Sequence, residues 1–197
     1  MNRKTAMKLF GLLGLLMLLS CGYADRHRNN SSCEQVLVDS LEVRVQDSLF
    51  SNVHYSRSRV LDALTQAQDS QVYYRLLALY GKTFFVSSDF DSILYYNRRV
   101  KEFFRNASQS SESLQSPQWN DVLSDVYNIE GNVWMQLNRP DSAITDYKKA
   151  YEYRLKGKKL HLLPDICINT ADAYLHRSDL AVSYTHLRAH ETLANLV

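Results

Sequence analysis

The residues best suited to chemistry in this sequence are its histidines and cysteines. His186 and His190 stand four residues apart, and on a helix this spacing allows two imidazoles to bind one metal ion such as Zn²⁺. None of the other histidines has a partner at a comparable spacing. The sequence also contains no glycine-rich phosphate loop, no Cys-x-x-Cys pair and no Gly-x-Ser-x-Gly motif.

The segment around the histidine pair argues against a metal site. Val182–Thr192 resembles, over eleven consecutive residues, one reading frame of a transposase-based sequencing adapter. Residues 181–197 are therefore predicted to be a non-native tail, and the native chain is expected to stop near Leu180, inside a structural repeat. With the histidine pair set aside, we expect no catalytic residue, no metal site and no cofactor, so the protein is predicted not to be an enzyme.

Residues 1–21 have the layout of a secretory signal. Three basic residues within Asn2–Lys8 precede the almost entirely apolar run Leu9–Leu19, which is too short for a comfortable membrane span. The run ends at Ser20 and Cys21, and this ending is similar to a bacterial lipobox. The resemblance implies that residues 1–20 are a cleaved signal peptide and that the sulfur of Cys21 carries a diacyl lipid.

Two expectations follow from this leader. Residues 21–32 would be the lipidated cysteine and a flexible polar tether, anchored on the periplasmic face of a Gram-negative envelope. The alternative is an uncleaved N-terminal anchor helix. That compartment permits disulfides, but Cys33 and Cys167 lie far apart along the predicted helices, so both are predicted to be isolated thiols.

The composition favours a helical protein that does not bind nucleic acid. Six glycines and three prolines in 197 residues are few chain breakers, which favours helices over a fold with many turns. Removing the three basic residues of the leader from the 23 Lys and Arg leaves 20, against 21 Asp and Glu. A near-neutral chain lacks the basic excess that is typical of nucleic-acid-binding proteins.

Apolar residues recur with a helical period through residues 33–180, the predicted repeat domain. Breaks fall near Asn52, Asp69, Ser88, the serine-rich Ala107–Pro117, Asn138 and the lysine-rich stretch after Leu155. We expect two helices before residue 67 and five more over Tyr73–Phe85, Ile93–Phe104, Val122–Leu137, Ala143–Leu155 and Leu162–Leu175.

Small and aromatic residues recur at matching places in successive helix pairs. The clearest unit, Ser124–Tyr153, has Gly131, Trp134, Ala143, Tyr147 and Ala150. Weaker copies have Gly81 in one and Ala171 with Tyr174 in another. Small residues let two helices approach closely, and the aromatic rings fill the space beside them.

This pattern resembles the tetratricopeptide repeat (TPR) family. The resemblance implies an all-α, antiparallel helix-pair solenoid, a TPR-like superhelix of three to four pairs with the last one truncated. Two residues depart from the family pattern: Glu130 stands at a usually apolar position, and Ile93 replaces the usual alanine, which predicts looser packing there. A simple helical bundle is the alternative, but it would not need the recurring small and aromatic positions.

In this family the first helix of each pair lines a concave groove. Carried over by position, the groove would include Arg75, Lys82, Phe85, Asp125, Asn128, Asn132, Met135, Gln136, Asp165, Asp172 and His176. Asn128 and Asn132 are four residues apart on one side of a helix, where their amides can hydrogen-bond an extended peptide backbone. The alternative is that these residues are simply solvated.

A basic stretch begins at Lys148 and ends at Lys159. It could bind an anionic partner, but a solvated helix end whose charge complements the helix dipole is the simpler interpretation.

Together these observations predict a non-catalytic module that binds a protein or peptide in its groove and the membrane through its lipid. The expected context is the periplasmic input part of a truncated signalling protein, such as a sensor kinase or a transcriptional regulator. The alternative is a free-standing lipoprotein scaffold for an envelope complex.

Overall fold

The structure is a computed structural model that describes residues 35–45, 47–48, 51–107, 116–177 and 188. All regular secondary structure within these residues is helical. The prediction of an all-α protein is therefore confirmed for the described part of the chain. None of the helices described there has the length and apolar character needed to cross a membrane.

Seven α-helices and one 3₁₀ turn are described, and their bounds follow the predicted breaks closely. They are α1 (35–45 and 47–48), α2 (Val53–Gln66), α3 (Ser70–Lys82), α4 (Phe90–Ala107), α5 (Pro117–Gln136), α6 (Pro140–Lys156), the 3₁₀ turn Leu160–Leu162 and α7 (Leu163–His176). The largest difference is at the start of α5, which begins five residues before the expected Val122.

Local side-chain chemistry explains where several helices begin. The carboxamide oxygen of Asn52 and the carboxylates of Asp69 and Asp89 accept hydrogen bonds from backbone N–H groups two or three residues further on. Such caps satisfy donors that a helix start leaves unpaired. Pro117 and Pro140 stand in the first turn of α5 and α6, where a missing N–H costs little.

The turns that follow α3 and α5 are built alike. Ser88 and Asn138 both have φ 54°, and each donates its N–H to the carbonyl three residues back at 3.0 Å. The next residue in each turn donates to the carbonyl five residues back, at 3.2 and 2.8 Å. These are the paired bonds of a Schellman motif. The two turns are 50 residues apart, the same separation as Gly81 and Gly131.

Helices that follow each other in the chain pack against each other from α2 to α7. In addition, α3 contacts α5, and α5 contacts α7. Alternate helices therefore lie side by side, with α4 and α6 packed against them. One apolar cluster joins α1 to α5 and includes Val38, Val45, Val60, Leu76, Val100 and Trp119.

Two helices, α5 and α6, approach each other closely at Gly131 of α5. A Cβ at this position would lie 2.3 Å from Cε1 of Tyr147 on α6, far inside van der Waals contact. Of the eight residues predicted to pack the repeats, seven, including Gly131, are buried, and Trp134 is half-buried. The indole N–H of Trp134 donates to Asp146 at 2.8 Å.

Gly81 of α3 is the counterpart of Gly131, and its contact is looser. A Cβ at Gly81 would lie 3.1 Å from the Cβ of Tyr96. Ile93, which faces this region from α4, is fully buried. The bulkier isoleucine in place of alanine is consistent with the wider spacing that the sequence predicted.

Cys167 is buried on α7 with a free thiol, and burial raises its pKa.

Gly131→Ala should destabilise the protein much more than Gly81→Ala. The new methyl group at position 131 meets a buried ring that cannot move aside, and such overpacking costs about 1–3 kcal/mol. At position 81 the contact is nearly tolerable, and the gain in helix propensity of about 1 kcal/mol offsets it. Urea unfolding of both variants measures the difference, and equal losses of stability would contradict this account of the Gly131 contact.

Candidate binding face

Three helices, α3, α5 and α7, lie side by side and carry the predicted groove residues. Positions 50 residues apart correspond between α3 and α5, as the two equivalent turns indicate. Positions 40 residues apart correspond between α5 and α7, from Gly131 and Ala171. We call inner face the following half-buried or exposed residues at these positions: Ala78, Lys82, Phe85, Asn128, Asn132, Met135, Ile168, Asp172 and Leu175.

Two asparagines occupy the middle of the inner face. Both are half-buried, and in each the side-chain oxygen is already engaged. The oxygen of Asn128 accepts from the amide of Asn169 at 3.1 Å, and that of Asn132 accepts from the Tyr147 hydroxyl at 2.7 Å. Among the described residues, neither side-chain NH₂ group has a hydrogen-bond partner. The orientation of each amide is therefore held by its oxygen, and its two N–H donors remain available.

Contacts on both sides of α5 place α7 in register with it. Asn169 is level with Asn128 through their hydrogen bond. Burial raises the pKa of Tyr147 on α6, and the charge of Asp172 adds to this effect. Tyr147 also packs in one apolar cluster with Ala173 and Tyr174 of α7 and bonds Asn132. The α7 residues next to Asp172 are therefore held near Asn132.

Apolar side chains line both ends of the inner face. Phe85, in the turn after α3, packs against a cluster that contains Ile129 and Val133 of α5. Met135 of α5 packs against a cluster that contains residues of α6 and α7. On α7, Ile168 is 49% exposed and Leu175 is 46% exposed. These two residues are the most exposed apolar side chains of the inner face.

Two predicted groove residues are held in ion pairs within the protein. Arg75 donates to Asp39 at 2.6 Å and to Glu42 at 3.1 Å, and its side chain is only 10% exposed. Asp125 pairs with Arg154 of α6. The Arg75 charge is compensated by its two carboxylate partners. Asp125 shares Arg154 with Asp121, and its side chain is 40% exposed. The remaining predicted residues, Asp165 in the first turn of α7 and Gln136 and His176 at helix ends, are exposed.

A buried carboxylate that the sequence did not single out organises one end of α5. Asp121 accepts from the Arg154 guanidinium at 2.8 Å and from the backbone N–H groups of Lys158 and Lys159 at 2.9 and 3.1 Å. A Cβ at Gly157 would lie 2.2 Å from this carboxylate, so the loop can wrap around Asp121 only with glycine there. The sole sequence signal was a glycine inside a lysine-rich stretch.

The same loop reaches across to the first described helix. The Lys159 ammonium bonds Glu42 of α1 at 2.9 Å. Lys159 is partly desolvated, yet its pKa is raised because Glu42, Asp125 and Asp121 outweigh burial, which acts in the opposite direction. Two cations of the predicted basic stretch, Arg154 and Lys159, are thus explained by internal pairs. Lys148, Lys149, Lys156 and Lys158 are exposed.

Glu130, the departure from the repeat pattern, forms a buried ion pair. Its carboxylate bonds the Lys101 ammonium of α4 at 2.6 and 2.8 Å. Burial raises the Glu130 pKa, and the attraction of Lys101 only partly opposes this effect. A charged pair therefore occupies a position that an apolar side chain would normally fill.

No metal-binding cluster is found within the part of the chain that the structure describes, and the open cavity described there lies away from the inner face. No group of three or more His, Cys, Asp or Glu residues in the described ranges is arranged to hold a metal ion. An open cavity of about 430 Å³ is lined by Tyr74, Arg99, Glu102, Phe103, Asn106 and Ala107, none of which belongs to the inner face. Cys21, the signal segment 1–20, the tether and the pair His186 and His190 lie outside the described residues.

Comparisons with known proteins gave no match. No protein-family model matches this chain, and neither a curated protein nor a solved structure matches it. The function proposed below is therefore supported by the contacts described above together with the patterns of the sequence.

Glu130→Gln should reveal the cost of the buried charge as a pH dependence. A carboxyl group whose pKa is higher in the folded protein than in the unfolded chain binds its proton more tightly in the folded protein. The free energy of unfolding therefore falls as the pH rises from the lower of these two pKa values to the higher. We expect the wild type to lose more unfolding free energy than Glu130→Gln between about pH 5 and about pH 8.

Urea unfolding at the two pH values measures the effect. Glu102→Gln, an exposed carboxyl on α4, is the matched control and should follow the wild type. Parallel profiles for the wild type and Glu130→Gln would show that the Lys101 pair fully compensates burial.

Proposed function

We propose that this chain is a non-catalytic binding module of the tetratricopeptide type, whose inner face holds an extended segment of a protein partner. The helices α3 with α4 and α5 with α6 act as successive helix pairs of a repeat array. The matching turns, 50 residues apart, and the glycine contacts at Gly81 and Gly131 support this arrangement. The contact of α5 with both α3 and α7 supports a surface shared by three first helices.

The observation that carries the proposal is the pair of available amide groups on α5. Four residues of helix rise about 6 Å, and alternate residues of an extended chain are about 6.6 Å apart. Asn128 and Asn132 can therefore donate to two carbonyls on the same edge of an extended segment that runs along α5. Backbone recognition of this kind gives affinity without requiring a particular side chain.

The buried charges support a structural rather than a catalytic role. Asp121, Glu130 and Asp146 are buried, and each pairs with an arginine or lysine side chain. A general acid or base needs a pKa matched to its task and access to substrate. These carboxylates are instead spent on holding helices together.

The proposed location is the periplasmic face of a bacterial membrane, through a lipid on Cys21. The basic segment, the apolar run Leu9–Leu19 and the following Ser20 and Cys21 support it. A role as the input part of a longer signalling protein, or as an envelope scaffold, concerns sequence beyond the described residues and stays a prediction.

The double variant Asn128→Ala with Asn132→Ala should bind selected peptides more weakly. A phage-displayed library of random dodecapeptides is selected on the wild type, and the enriched peptides are measured by isothermal titration calorimetry. Losing two hydrogen bonds of about 1 kcal/mol each should weaken binding roughly tenfold to thirtyfold.

Gln118→Ala, an exposed amide at the other end of α5, is the control and should bind like the wild type. Urea unfolding checks that the double variant remains folded without the Tyr147 hydrogen bond. Failure to enrich any peptide, or full binding by the double variant, would overturn the proposed function.

Cys21→Ser should abolish lipid attachment, because the thioether to the lipid needs a thiol. In a Gram-negative host fed radiolabelled palmitate, the wild type should incorporate label and sediment with membranes. Cys21→Ser should do neither, whereas Cys33→Ser should behave like the wild type. Membrane retention of unlabelled Cys21→Ser would instead support an uncleaved anchor helix.

A further inference from the structure

The α7 side of the inner face has a pattern that the proposed function leaves unexplained. Ile168, Asp172 and Leu175 follow one another at i, i+4 and i+7, which places them on one side of the helix. The two apolar residues are about half exposed, and the acidic residue between them is exposed.

Asp172 differs from the acidic residues that hold the structure together. Asp39, Glu42, Asp121, Asp125, Glu130 and Asp146 all form ion pairs. Asp172 forms no ion pair with any residue in the described ranges. It directly precedes Ala173, which packs in one apolar cluster with Tyr147, and Tyr147 bonds Asn132. Its exposed charge therefore lies near the level where a bound backbone would be held.

From this arrangement we infer that the partner segment carries a basic side chain flanked by apolar side chains at alternate positions. The inference rests on the proposed function, because Asn128 and Asn132 must hold the segment along α5. In an extended segment, side chains that point to one side recur at every second residue. One such row would face α7, with the basic group opposite Asp172 and the apolar groups against Ile168 and Leu175.

The dimensions of the two rows agree. Ile168 and Leu175 are seven residues apart, which is about 10 Å along the helix. The first and third side chains of an alternating row are about 13 Å apart. The remaining difference is within the reach of two apolar side chains that lean inward. The central lysine or arginine also buries its stem against the two apolar residues while its charge meets Asp172.

Asp172 is the one acidic residue of the inner face as defined above, and Lys82 of α3 is its one basic residue. Arg75 and Asp125, which the resemblance placed in the groove, are occupied by Asp39, Glu42 and Arg154. Arg154 also pairs with Asp121, so only part of the Asp125 charge is compensated.

The test uses acetylated and amidated nonapeptides with two leucines, each two residues from a central position. The central residue is lysine, serine or glutamate. The wild type should bind the lysine peptide roughly fivefold to tenfold more tightly than the glutamate peptide, because an exposed ion pair and the opposite repulsion each contribute a few-fold. The preference should shrink at high salt.

Asp172→Lys should reverse the order of the lysine and glutamate peptides. Glu152→Lys, which makes the same charge change at an exposed position on α6, should leave the order unchanged. Replacing both leucines by serine should weaken binding of the lysine peptide to every protein. Reversal by Asp172→Lys alone would support the inference.

Failure of this inference can be separated from failure of the proposed function. Equal binding of the three peptides, or an unchanged order in Asp172→Lys, overturns the inference. So does a library selection that enriches a different pattern whose binding still depends on Asn128 and Asn132; in that case the proposed function stands. If the library enriches nothing, both fall together.

Discussion

The contact between the backbone of Gly131 and the ring of Tyr147 is the constraint on which the candidate face depends. Because no side chain stands at Gly131, the ring lies directly on α5 and brings α6 with it. The ring then places its hydroxyl on the oxygen of Asn132. The same ring packs with Ala173 and Tyr174 of α7, the residues next to Asp172. The missing side chain at Gly131 thus permits the helix contact, places the Tyr147 hydroxyl against Asn132 and helps to position α7 with Asp172.

One buried network of charged groups is centred on Asp121. Its carboxylate accepts three hydrogen bonds, one of them from Arg154, whose side chain is 2% exposed. Burying two ions costs desolvation that the attraction between them recovers only with good geometry. The loop at Gly157 supplies that geometry. From there Lys159 reaches Glu42, so charged groups join α1 to the connection between α6 and α7.

Local patterns were enough to predict the helices and the small-residue contacts, but not the use of the polar side chains. Apolar periodicity, caps and prolines act within a few residues, and they located the breaks near Asn52, Asp69 and Asn138. The groove residues depended on position alone. Arg75 was predicted to line the groove, and it is held between Asp39 and Glu42, over thirty residues away in the chain.

The sequence by itself determined the all-α class, the helix boundaries and the places where helices approach closely, because propensity and side-chain size act locally. Only the tertiary structure decided which charges are spent internally and which remain exposed. Asp121 and Asp172 look alike in the sequence, yet one is surrounded by donors and the other faces solvent beside Tyr147. That difference arises from contacts between α5, α6 and α7, whose partners are brought together only by packing.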